Sequence, residues 1–123
     1  MITGSHVLLF SQDSDADRAF FRDVLQFHSV DAGGGWLIFK LPPAEVALHP
    51  ADAEQIHAGQ HVAGAQLYLM CDDLQSLMKS LEAKKVSCTD VTKERWGIRT
   101  TIRLPSGGEL GLYQPTHPTA FNL

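Results

Sequence analysis

Two stretches of this sequence, about half its length apart, run through the same order of elements, and that internal repeat limits the possible folds more than any other feature. His6-Val7-Leu8-Leu9-Phe10-Ser11-Gln12-Asp13 and Gln66-Leu67-Tyr68-Leu69-Met70-Cys71-Asp72-Asp73 are both strand-like apolar runs that stop at polar or acidic residues. Each leads into a segment of helical period. Ala16, Ala19, Phe20 and Val24 share one face of the first, and Leu74, Leu77, Met78 and Leu81 one face of the second. Asp13, Ser14 or Asp15 can cap the first helix and Asp72 or Asp73 the second, since a side-chain oxygen there accepts from the unpartnered N–H groups of the opening turn. Lys84 and Lys85 place positive charge in the last turn of the second helix.

The two stretches also close alike. Leu41-Pro42-Pro43-Ala44 leads into Glu45-Val46-Ala47-Leu48-His49, and Leu104-Pro105-Ser106-Gly107-Gly108 into Glu109-Leu110-Gly111-Leu112-Tyr113. Each is a turn followed by a short strand, so each completes a hairpin with the strand before it, Trp36 to Leu41 or Trp96 to Leu104. Weaker strands fall near 27–31 and 87–92, and Gly33-Gly34-Gly35 turns the chain between the second and third strands of the first half. Matching positions lie 60 residues apart at the first strands and 64 apart at the closing ones. The expected fold class is α+β, with two tandem βαβββ modules in a single domain: module one at about 4–50, a linker at about 51–64, module two at about 65–115 and a tail at 116–123. An α+β sandwich without internal symmetry is the alternative.

At 123 residues the chain matches one ordinary domain and buries a core without disulfides or metal staples. A net charge of −4 and the lack of any Lys/Arg run argue against nucleic acid or an anionic membrane as partner, because both demand a basic face. Cys71 and Cys88 lack CxxC spacing and read as small apolar residues in a reducing compartment. Met1 to His6 has neither the basic nor the apolar region of a signal peptide, and no apolar run approaches a membrane span, so cytoplasm is the expected location.

Three segments carry a resemblance to a known family. They are His6 to Phe10, Ala19-Phe20-Phe21-Arg22-Asp23-Val24-Leu25-Gln26-Phe27, and Leu104 to Pro115. Together they resemble the vicinal oxygen chelate superfamily, which includes glyoxalase I, extradiol dioxygenases and bleomycin-resistance proteins. Phe21 stands where Tyr is common in that pattern, and Gln26 where Gly is common. The resemblance implies a curved mixed sheet around a cleft, with the helices outside. It also implies a homodimer, and leaves open whether the cleft is built within one chain or shared. In metal-using members, each half gives one ligand from its first strand and one from its closing strand. Those positions here are His6 and Ala47, then Gln66 and Gly111. Both carboxylate positions lack donor atoms, and His6 and Gln66 alone are a poor set for a divalent cation. The resemblance therefore implies that the usual metal site is lost and that no cofactor is expected.

Strand alternation assigns the side chains that would face the cleft. From the first strands these are His6, Leu8 and Phe10, with Gln66, Tyr68 and Met70. The closing strands add Glu45, Ala47 and His49, with Glu109, Gly111 and Tyr113. The third strands add Trp36, Ile38 and Lys40, with Arg99, Thr101 and Arg103. Aromatic and apolar walls with a few polar groups are the usual make-up of a small-molecule pocket. Tyr68, Tyr113, Trp36 and Trp96 can stack on a planar ligand, although aromatic strand residues are first of all packing material. Arg99 and Arg103 suit an anionic group, and cross-strand pairing explains them equally well. Glu45 and Glu109 read as solvated turn carboxylates or as metal or proton-transfer groups, and His49 as a rim histidine, a replacement ligand or a general base. His57 and His61 are spaced i, i+4 in a sequence ill-suited to a helix, and His117 carries no signal by itself.

Three functions follow as expectations. The first is a glyoxalase- or bleomycin-resistance-like protein that binds an unidentified small molecule without metal. The alternative is a metal-dependent lyase, isomerase or dioxygenase with a divalent ion in a rearranged site using His6, His49 or Glu109. The third is an interaction module with no ligand. The residues name no substrate and leave open whether any reaction takes place.

Overall fold

The computed structural model describes residues 1–49, 66–121 and 123. In chain order its elements are α1 (Ser14–Asp23), β1 (Ser29–Asp31), β2 (Leu37–Phe39), β3 (Tyr68–Met70), α2 (Leu74–Ala83), β4 (Thr92–Glu94), β5 (Gly97–Arg103) and β6 (Glu109–Pro115). The architecture is α+β, as expected. The chain forms two compact units, one of residues 1–40 with 103–109 and one of residues 41–102 with 110–123. The expected linker at 51–64, with His57 and His61, lies outside the described residues.

In the first unit, α1 starts where the sequence places a cap: the Asp13 carboxylate accepts from the Ala16 N–H at 3.2 Å. The helix buries Phe20 and Phe21, and the Phe21 ring meets Phe27 at 5.8 Å and Phe39 at 5.6 Å between centroids. Asp17 is also buried. Its carboxylate accepts from the Ser11 hydroxyl at 2.7 Å, the Ser106 N–H at 3.0 Å and the Ser106 hydroxyl at 2.6 Å. Those bonds replace the water that a buried carboxylate would otherwise lose. After α1 the chain turns at Gln26, whose φ of 61° is left-handed, and the Phe27 N–H reaches back to the Phe21 carbonyl at 3.0 Å. β1 and β2 pair antiparallel, Val30 opposite Ile38. The Asp31 carboxylate accepts from the Gly33 N–H at 2.7 Å, and Gly33, Gly34 and Gly35 all take positive φ in the turn.

In the second unit the strand order is β3-β6-β5-β4. β3 runs parallel to β6 with Tyr68 opposite Gly111 and Met70 opposite Tyr113, and β4 runs antiparallel to β5. Parallel neighbours need a crossover, and α2 lies in the chain between β3 and β6. Asp73 caps α2 by accepting from the Ser76 N–H at 3.1 Å, and the Leu74 N–H donates to Gln114 Oε1 of β6 at 3.0 Å. Leu74, Leu81, Val86, Ile102, Leu110 and Leu112 are buried, each stabilising the unit by about 1.5–3 kcal/mol relative to exposure. Alternation along the closing strands assigns Val46, Leu48, Leu110 and Leu112 to the core side; Leu110 and Leu112 are there, and Val46 and Leu48 are exposed instead. Lys84 is the C-cap of α2, and Lys85 just beyond takes a left-handed φ of 64°. Cys71 and Cys88 are unpaired and half-buried, and burial pushes both thiols up.

Three expected strands differ. Residues 87–92 form only an isolated bridge, Cys88 to Ile102, followed by the short β4. Residues 6–10 and 45–49 carry no strand at all. Their side chains stand largely in solvent, with Phe10 at 96%, Val46 at 85% and Leu48 at 92% exposure. A strand persists only where a neighbour takes its backbone hydrogen bonds, and among the described residues neither segment has a ladder partner. Their counterparts in the second half, β3 and β6, supply that partner to each other. No described helix is long and apolar enough to cross a membrane.

Candidate functional site

The parallel register of β3 and β6 gathers the aromatic residues of the second unit on one face of its sheet. Tyr68 is opposite Gly111, and Tyr113 is two residues further along the same strand, so both rings lie on the same side. Trp96, just before β5, completes the group: Tyr68 to Tyr113 is 5.7 Å, Tyr68 to Trp96 5.7 Å and Trp96 to Tyr113 4.9 Å between centroids, all edge-to-face. Edge-to-face contacts place the positive ring edge against the negative ring face. The Tyr68 and Trp96 rings are half-buried, whereas Tyr113 is buried.

Gly111 has no room for a side chain. A Cβ built there runs into the Tyr68 ring at Cδ1 and Cε1. The ring therefore occupies the space beside the position where the resemblance calls for a carboxylate. Among the described residues, no group of three or more His, Cys, Asp or Glu side chains is placed to hold a metal ion.

At the edge of the rings lies a hydrogen-bonded set that strand parity alone does not assemble. The Tyr113 hydroxyl is 3.0 Å from His117 Nε2, and His117 Nδ1 is 2.7 Å from the Pro118 carbonyl oxygen. Glu45 Oε2 is 4.0 Å from His117 Nε2, while Glu45 Oε1 accepts from the Ala120 N–H at 2.8 Å. Thr116 fastens the same segment, its N–H to the Trp96 carbonyl at 2.9 Å and its hydroxyl to the Arg95 carbonyl at 3.1 Å. Burial, then the negative charge of Glu45 and the neighbouring Tyr68, hold the Tyr113 phenol above the ordinary tyrosine range. The phenol stays protonated in neutral solution.

The remaining expected residues divide between the units. In the second, Gln66 is exposed and its Oε1 is 3.4 Å from the Tyr68 hydroxyl; Met70 is half-buried and His49 is exposed. Arg99 lies 3.3 Å from Glu94 on the neighbouring strand, the cross-strand pairing that was one of its two explanations. In the first unit His6, Leu8 and Phe10 are exposed. Trp36 is 63% exposed and carries the Arg18 guanidinium over its ring at 4.6 Å, and Arg103 sits 3.8 Å from Glu109 on the surface. Both Arg residues thus have carboxylate partners already; the Arg99–Glu94 pair is half-buried, and the exposed Arg103–Glu109 pair contributes about 0–1 kcal/mol. His117 is the residue that the sequence did not disclose. Its only signal is that it follows Tyr113 by four positions beyond the end of the repeat.

No family model matches the chain, and no curated protein matches its sequence. Solved structures do. Lactoylglutathione lyase from Agrobacterium tumefaciens superposes with a TM-score of 0.61 at 21% identity, covering 91% of this chain and 92% of that one. TnmS3, an antibiotic-binding protein from Streptomyces sp. CB03234, gives 0.60 at 22% identity over 94% of this chain and 100% of that one. A glyoxylase/bleomycin resistance protein/dioxygenase domain from Frankia sp. EAN1pec gives 0.60 at 16% identity over 94% and 98%. At such identities the likeness is one of fold, and fold does not fix function.

Proposed function

The chain has the fold of the vicinal oxygen chelate superfamily, and from that premise we propose that it is a small-molecule-binding protein of the glyoxalase/bleomycin-resistance type whose usual metal site has been lost. The observation that carries this reading is the Tyr68 ring standing against Gly111. Metal-using members place a ligand at that position, and here any side chain would first have to displace a ring held by Trp96 and Tyr113. Ala47, at the other carboxylate position, offers only a methyl group, so the donor set does not fit a divalent cation. Half-buried aromatic faces beside Glu45 and His117 are a surface suited to a small planar ligand.

The proposal includes two tandem βαβββ modules around a cleft. It is supported by helices of equal length that start 60 positions apart, each with an aspartate N-cap and a left-handed residue after its last turn. It includes a homodimer as well. The exposed apolar residues of 6–10 and 45–49 are the surfaces a second copy would cover, and the β3–β6 pairing in the second half is the pattern they would follow. A cytoplasmic location is proposed from the sequence alone.

A thermal-shift screen against a broad library of planar small molecules, run on protein purified without chelator, tests the reading. Saturating ligand raises stability by about 3 kcal/mol at a hundredfold excess over Kd. Stabilisation by at least one compound class, on protein free of bound metal, is the expected result. Stoichiometric Fe, Mn, Ni or Zn would instead support the enzyme with a rearranged site, and no stabilisation by any compound would leave the interaction module.

A further inference from the structure

The side chains around His117 have a single electrostatic character. The Pro118 carbonyl only accepts, so the hydrogen bond at 2.7 Å puts a proton on His117 Nδ1. In the neutral ring Nε2 is then a bare lone pair, and the Tyr113 hydroxyl donates to it at 3.0 Å. Glu45 spends Oε1 on the Ala120 N–H, which fixes the carboxylate and leaves Oε2 as a charged acceptor 4.0 Å from that lone pair. Among the described residues Glu45 has no Lys or Arg ion-pair partner, and its side chain is only 20% exposed. Its ion-pair contact among the described residues is therefore His117 and no permanent cation, and its side chain is largely screened from water. The field of that charge reaches the rings, where it is the largest cause after burial of the raised Tyr113 phenol. Aromatic faces are themselves negative, so the Tyr68 and Trp96 rings add to the same potential.

We propose that Glu45, with the Tyr68, Trp96 and Tyr113 rings, forms a subsite for an organic cation: the amidinium or protonated amine of a planar ligand, charge against Glu45 Oε2 and ring against the aromatic residues. The inference rests on the small-molecule-binding reading above and names its ligand class. The cation supplies hydrogens to Glu45 Oε2, which accepts no hydrogen bond from the described residues, and the planar group covers ring surface that water now touches. An anion of the same shape meets the carboxylate and the ring faces with the wrong sign.

Three probes of one shape and different charge decide it: benzamidine, benzamide and benzoate, each titrated calorimetrically into the full chain. Benzamidine is expected to bind most tightly and benzoate least. Its affinity should fall with added NaCl, while that of benzamide does not. Glu45→Gln should weaken benzamidine by roughly ten- to a hundredfold, the loss of one charge-assisted hydrogen bond, and bring it level with benzamide. Glu82→Gln, an exposed carboxylate elsewhere, should change nothing. Benzamide or benzoate binding as well as benzamidine, no benzamidine binding at all, or unchanged benzamidine affinity in Glu45→Gln, would each overturn the cation subsite. The salt dependence in the unaltered chain decides the matter if Glu45→Gln does not fold. Small-molecule binding as such stands or falls separately, on the library screen.

Discussion

Gln26 follows α1 with a left-handed φ of 61°, a conformation in which a Cβ crowds the following carbonyl by about 1–2 kcal/mol. Glycine is common at this point of the pattern the chain resembles, so the sequence itself marks the position as strained. Gln26→Gly should raise the denaturant midpoint, with a gain of about 1 kcal/mol once the freer unfolded chain is allowed for. At Tyr113 the sign runs the other way with pH. Its folded-state phenol is held above the ordinary tyrosine range, so the stability it brings is complete below that range and is lost as pH rises through the folded value. Tyrosinate absorbance in an alkaline titration should show a late component that Tyr113→Phe removes. Among single residues, the helix caps Asp13 and Asp73 were legible because capping is local chemistry within one turn. His117 was not, because its partners Tyr113 and Glu45 come together only through the fold.

Between elements, the tightest constraint is the β3–β6 register, which sets the Tyr68 ring over Gly111. Gly111→Ala should cost about 1–3 kcal/mol by overpacking. In Tyr68→Ala, where the ring is gone, the same change should cost far less, so a double-mutant cycle in urea should give a coupling of opposite sign to the single effect. Equal cost in both backgrounds would separate Gly111 from the ring. The helices, the glycine turn and the β5–β6 hairpin followed from periodicity and turn residues, since these signals lie within a dozen neighbouring positions. Periodicity also promised strands at 6–10 and 45–49. It reports that a segment suits a strand and says nothing of where the neighbouring strand comes from. The alternation survives even so: Val7 and Leu9 are each 49% exposed, while Leu8 and Phe10 between and beyond them are more exposed.

For the whole molecule, the proposed homodimer makes those two segments the surface that a second copy covers. Light scattering should give the mass of a dimer, and Phe10→Asp or Leu48→Asp should shift the population toward the monomer by placing a charge where apolar surface is to be covered. A monomeric mass for the unaltered chain would remove the homodimer from the proposed function. The α+β class was readable because it is a property of the order of elements along the chain. The candidate site was readable only in part: Tyr68 and Tyr113 from alternation, but not the partnership of Glu45 with His117 that gives the rings an electrostatic sign.

Asp17 is bonded to Ser106, 89 positions later. A ribosome makes the chain in that order, so α1 leaves the exit tunnel with Ser11 already present but well before Ser106, the source of the other two hydrogen bonds to its inward carboxylate, has been synthesised. Until Ser106 emerges, that carboxylate has only Ser11 and water as donors, although Phe27 and Phe39 are already there for Phe21. The first fifth of the chain therefore reaches its final state late, and nascent chains stopped short of Ser106 should be cut within α1 by proteases that spare the finished protein.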